Sequence, residues 1–266
     1  MGRYDEAIAQ YRKALTINPF FANSFTGIAA ALMYENKHEE ARAELQKAYT
    51  IARNDGEKRA SLFCRAVTYV DEGNPALALK EVEQQQAVAK NINDAAAMAG
   101  DVVLMGNILL QNGKPEEALA KFNEGLGLIM KANLAKEVKE NAVLINHYNA
   151  ARAYVVKGDL ATATTEAGKL REGAEAKKNQ NQIRLAHEVA GAIALAKKDY
   201  SKAIEELKQA NQQDPNVLYR LALAYQATGK TDEARTFCVL AARFNSLPVM
   251  NYAFVRRNAE KLLGTL

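Results

Sequence analysis

Apolar positions in this chain fall on helical spacing from its first residues. In GRYDEAIAQYRKALTINP, Gly2 to Pro19, Ala7, Tyr11 and Ala14 stand at i, i+4 and i+7 and share one helix face. Tyr4, Ile8 and Leu15 widen the stripe. Asp5 and Glu6 lie off it in the first turn, where negative charge suits the helix dipole. Asn18-Pro19 ends the segment, because a residue before proline avoids the helical region. Two alanines let a neighbouring backbone come close, and the tyrosine fills the gap between them.

The figure returns at Ala41, Leu45 and Ala48, 34 residues on. Ala78 and Val82, Ala118 and Phe122, and Ala163 and Ala167 carry it further. Ala203, Leu207 and Ala210 follow, then Ala234, Cys238 and Ala241. The intervals drift between 31 and 45 residues, which places added turns between units without loss of the pattern. Ahead of each later copy runs a second figure, in which a large residue precedes a small one by four and a glycine closes the helix. Leu62, Ala66, Tyr69 and Gly73 show it, as do Val102, Gly106, Leu109 and Gly113. His147, Ala151, Tyr154 and Gly158 match, and Leu218, Ala222, Tyr225 and Gly229 are the cleanest copy. Phe25, Ala29, Leu32 and Asn36 put asparagine in the turn; His187, Gly191, Ala194 and Lys198 put lysine there.

Paired figures of this kind resemble the tetratricopeptide repeat (TPR) family, whose unit of about 34 residues carries W-x2-L-G-x2-Y, then A-x3-F, then P. The resemblance spans residues 2 to 246, with no tryptophan anywhere and longer middle units. It implies an all-α, right-handed α-solenoid of about seven helix pairs, the first half-length, closed by a C-terminal capping helix. The expected units are 2–21, 22–55, 58–92, 95–132, 135–178, 183–214 and 215–246, with the cap at 248–264, all in a single domain over 1–266. The cap should show one apolar face, Val249, Tyr252, Val255, Ala259 and Leu262, and a polar outer face. Ala7, Ala41, Ala78, Ala118, Ala163, Ala203 and Ala234 should all be buried at close helix contacts. Because the first helix of the opening pair is missing, residues before Met1 or a second copy of the chain are expected to cover Tyr4, Ile8, Tyr11 and Leu15.

Composition changes this picture little. With 266 residues, 48% of them hydrophobic, the chain can bury a large core. No 18-residue apolar run predicts a membrane span, and charged residues break any leader-like stretch near Met1, which favours the cytoplasm. Cys64 and Cys238 are too far apart in sequence to suggest a disulfide framework, and Cys238 falls in a core slot. A net charge of +4 comes from scattered basic pairs, without the basic stripe and interleaved aromatics of a nucleic-acid binder.

Catalytic chemistry finds no foothold. None of His38, His147 and His187 has metal-ligand spacing, and phosphate loops, GxSxG and dinucleotide fingerprints are absent. His38 should be exposed at a turn, while His147 and His187 should pack in large-residue slots. Glu39-Glu40, Glu116-Glu117 and Glu205-Glu206 read as solvated faces. We therefore expect no catalytic residue, no metal and no cofactor.

What the resemblance implies instead is a groove whose inner wall is built by first helices. The candidate contacts are Phe63, Asn107, Tyr148, Arg152, Tyr219 and Gln226, with Thr26, Ala30, Met33, Val67, Val70, Val103, Leu110, Val155, Glu188, Ala192, Leu195 and Leu223 at equivalent wall positions. The lysine and asparagine set that clamps chaperone tails in this family is missing, because Thr26, Ala30, Val67 and Val103 hold its places. The expected function is a protein- or peptide-binding scaffold, with a protein or peptide partner and a homodimer through the N-terminal helix as a further association. A nucleic-acid-binding or regulatory solenoid, and an enzyme component, are the alternatives.

Overall fold

The computed structural model describes residues 2–244 and 249–266. These form fourteen α-helices and no strand. Helix α1 spans Tyr4–Ile17, α2 Ala22–Tyr34, α3 His38–Thr50, α4 Asp55–Glu72, α5 Pro75–Asn91, α6 Ala95–Gln111 and α7 Pro115–Lys131. Then come α8 Lys136–Lys157, α9 Leu160–Ala176, α10 Gln180–Ala196, α11 Tyr200–Gln209, α12 Pro215–Ala227, α13 Thr231–Ala242 and α14 Met250–Leu263. Contacts divide the chain into two compact units. The first runs to Leu104 and includes the start of α14; the second takes residues 105–244 and the rest of α14 from Val255.

Several helices stop where the sequence supplies a left-handed residue. Gly73 and Gly158, with φ of 87° and 84°, close α4 and α8. Asn36 and Lys198 take the same turn at φ 61° despite their side chains. Starts are equally local. Asn54, Asn74, Asp159 and Asp199 each cap a helix by accepting a backbone N–H from its first turn. Asn54-Asp55-Gly56 thus opens α4, and α10 begins at Gln180, inside the polar run KKNQNQ.

Within the first unit, α1 packs on α2, α2 on α3, α3 on α4 and α4 on α5. Within the second, neighbours from α7 to α13 pack in sequence, and α10 also touches α8 and α12. Ala41, Ala78, Ala118, Ala163, Ala203 and Ala234 are fully buried, as their slot requires. Ala7 is only half-buried; α1 packs chiefly on α2. None of the α1 residues is buried, so Tyr4, Ile8, Tyr11 and Leu15 keep a partly wet stripe.

Three surface expectations are corrected. His38 is buried, its Nε2 2.7 Å from Asp71 Oδ2, because the α3 N-terminus folds back on α4. Glu206 is buried too, since Arg171, Lys202 and His187 all converge on it. The polar outer face of α14 holds only in its second half, where Arg257, Asn258, Glu260 and Lys261 are exposed. Five consecutive residues, Tyr252 to Arg256, are buried. That is more than a full helical turn, so this part of α14 is covered on every side. Residue 248 of the expected cap lies outside the described residues.

Candidate functional site

Polar and aromatic side chains gather on the first helices of the second unit. On α8, Tyr148 and Arg152 are four apart and so stand one above the other. The Arg152 guanidinium lies 5.0 Å from the centre of the Tyr148 ring, a cation–π contact. Its Nη1 donates to Asn107 Oδ1 on α6 at 2.9 Å and to Asn149 Oδ1 at 3.3 Å. Two amide oxygens and a ring thus fix the direction of this arginine.

Next along, Arg220 of α12 donates through Nη1 to Glu188 Oε1 of α10 at 2.6 Å. Burial works against the Arg220 charge, but Glu188, Tyr148 and Asp214 hold its pKa above the ordinary arginine value. Asp214, the N-cap of α12, is pushed up by burial and by Glu188. Burial also raises the Tyr148 hydroxyl, with Glu188 adding to it. A phenol held protonated is a donor, not a base. The group as a whole can hold hydrogen-bonding and charged ligand atoms; it contains no nucleophile with an adjacent base. Among the described residues no cluster of three or more His, Cys, Asp or Glu could hold a metal ion.

The structure thus brings together three of the residues expected from the sequence, Asn107, Tyr148 and Arg152. Tyr219 is half-buried and packs toward Leu218, Ala222, Cys238 and Ala259. Gln226 is exposed near the end of α12. Phe63, half-buried on α4, belongs to the first unit. Several expected wall positions are closed: Ala30, Met33, Val67, Leu110, Glu188 and Ala192 are all buried.

Asn149, Arg220 and Asp214 were not expected. A signal for Arg220 was present, because arginine–carboxylate pairs about one unit apart recur. Arg12 meets Glu44, Arg42 meets Glu72 and Arg171 meets Glu206. The histidines repeat as well: His147 Nδ1 lies 2.6 Å from Glu166, and His187 Nδ1 2.7 Å from Glu206, each 19 residues on. These two are carboxylate-paired, beyond the packing expected of them.

Among solved structures, a tetratricopeptide repeat protein from Parabacteroides merdae is 14% identical with a TM-score of 0.58, covering 99% of this chain and 92% of its own. A Rap protein complexed with Competence and Sporulation Factor is 13% identical with a TM-score of 0.55, covering 98% and 71%. The apo form of RapI is 11% identical with a TM-score of 0.52, covering 98% and 84%. At such identities the likeness is one of fold. No curated protein matches the chain in sequence. Family models described as tetratricopeptide repeat match residues 1–21, 22–55 and 194–245. The chain thus carries tetratricopeptide repeats near both ends, and its described elements are all helical.

Proposed function

We propose that the chain is a non-catalytic scaffold that binds a peptide or protein segment on the first helices of its second unit. The observation that carries this is the row Asn107, Tyr148 and Arg152, held by one another yet partly open to solvent. An oriented arginine beside an aromatic ring is the combination enriched at binding hot spots. Tyr219 and Gln226 extend the contact along α12. Further support comes from the fold, which in a Rap protein accompanies a complex with Competence and Sporulation Factor. No described helix is long and apolar enough to cross a membrane, which suits a partner met in water.

The test is capture of partners on the immobilised full chain, identified by mass spectrometry, followed by hydrogen exchange of the complex. Slowed exchange along α8 and α12, lost with Tyr148→Ala, is the expected result. A partner that protects only second helices such as α9 and α11 would sink the proposal.

Homodimerisation through α1 is a second association, favoured by one observation. Ile17, Phe20 and Phe21, at the end of α1 and the turn after it, are 81%, 58% and 43% exposed. Sedimentation of the chain and of Ile17→Glu checks it: a dimer that the substitution dissociates supports the association, and a monomer at all concentrations removes it.

A further inference from the structure

Arginines buried to a similar degree in this protein meet carboxylates. Arg42 pairs with Glu72, Arg59 with Asp101, Arg65 with Glu81 and Arg220 with Glu188. Arg152 does not: among the described residues its acceptors are only the neutral amides of Asn107 and Asn149. Both bind the same nitrogen, Nη1. Nε is buried with no hydrogen-bond partner. Nη2 makes no hydrogen bond either, and it is not closed off from solvent. A half-buried guanidinium costs free energy unless its charge is answered. Here Glu188, the carboxylate that acts on Tyr148, is already engaged by Arg220 at 2.6 Å.

The edge left over is informative. Nη2–H is the donor left open to solvent, and an oxygen of a ligand carboxylate can accept from it in a charge-assisted bond. Tyr148 supports the plane from one side, and the two asparagines stop it from turning. We propose that Arg152 is the specificity residue of the binding surface and reads a carboxylate of the ligand, so that the partner segment is acidic at the position over Tyr148. This rests on the scaffold function proposed above and adds the chemistry of its ligand. The carboxylate is either an Asp or Glu side chain or a chain terminus.

The experiment uses the full chain and an array of degenerate pentapeptides with one fixed central residue and amidated ends. Peptides fixed as Glu or Asp should retain the wild-type chain about tenfold better than those fixed as Gln or Asn, the scale of one charge-assisted contact. Arg152→Gln should erase that preference, and Arg152→Lys should keep part of it. Asn107→Asp serves as a second variant that leaves the arginine in place. It sets a carboxylate against the guanidinium and should erase the preference by self-neutralisation. A matching array with free C-termini and central Gln separates the two sources: a gain confined to it assigns the carboxylate to a terminus. An acid preference that survives both Arg152→Gln and Asn107→Asp overturns the proposal, as does peptide binding indifferent to acid, and both leave the scaffold function standing. Absence of retention of any peptide by the wild type overturns both.

Discussion

Phe122 of α7 lies against the bare α-carbon of Gly106 in α6: a Cβ placed on Gly106 would fall 2.5 Å from Phe122 Cε1. Gly191 and Leu207 repeat the relationship between α10 and α11, at 2.6 Å. Leu207 and Phe122 are the large members of the second-helix figure, and the glycines are the small members of the first-helix figure. Each pair of helices is therefore locked by a ring or branched chain set into a gap that lacks even a methyl group. Gly106→Ala should destabilise the protein. Overpacking costs about 1 to 3 kcal/mol, while the better helix propensity of alanine returns about 1 kcal/mol. Ala118→Leu, at a fully buried seam, should cost about 1 to 3 kcal/mol without that return. Thermal melts of both variants check this, and a Gly106→Ala melt at or above wild type would count against the packing.

The turn after α10 carries a removable strain. Lys198 holds φ 61°, where an L side chain crowds the backbone by about 1 to 2 kcal/mol. Glycine relieves this but loses about 0.5 to 1 kcal/mol of unfolded-chain entropy. Lys198→Gly should therefore raise the melting temperature slightly. Gly158→Ala, at φ 84°, should lower it. The two melts moving the same way would contradict the turn assignment.

Burial pushes the Cys64 thiol up to about 12. At pH 8 the reactive thiolate is then on the order of one in ten thousand molecules. Cys238 is raised by burial as well, and its sulfur donates to Ala259 O at 3.1 Å. Both thiols should stay silent toward a disulfide reagent in the native chain at pH 8 and react together on denaturation. Because both shifts are upward, a modest rise in pH should not wake them. Rapid native labelling of Cys64 would show that α4 opens.

Tyr252 of α14 stands with its ring 5.6 Å from that of Tyr34, which in turn stands 5.6 Å from Tyr4. Tyr252 is buried, so Tyr252→Ala should cost about 3 to 5 kcal/mol, the usual toll for emptying a large aromatic slot. Arg257→Ala, one turn on and exposed, should stay within about 0.5 kcal/mol of wild type. Urea titration separates the two. Equal, small effects would return α14 to the role of a one-faced cap.

Local rules settled much of this protein before any coordinates. The helix period, the alanine slots and the turns at Asn36, Gly73, Gly158 and Lys198 each depend on residues within a few positions of one another. Cys238 and Ala118 are buried because their slot in the figure is buried. The capping residues work at the same short range. Tertiary structure decided what depends on a neighbour many residues away. His38 is buried because Asp71, on the next pair, reaches its ring, and Glu206 because three cations meet there. The first half of α14 is enclosed, although its sequence reads as a helix with one apolar face. Sequence placed Arg152 on the expected groove wall without showing its partners. Its neutral partners, 45 residues back at Asn107 and three residues back at Asn149, and the carboxylate it lacks are relations in space. Charge pairing depends on which side chains come within about 4 Å, and periodicity fixes the face of a helix without fixing what stands opposite.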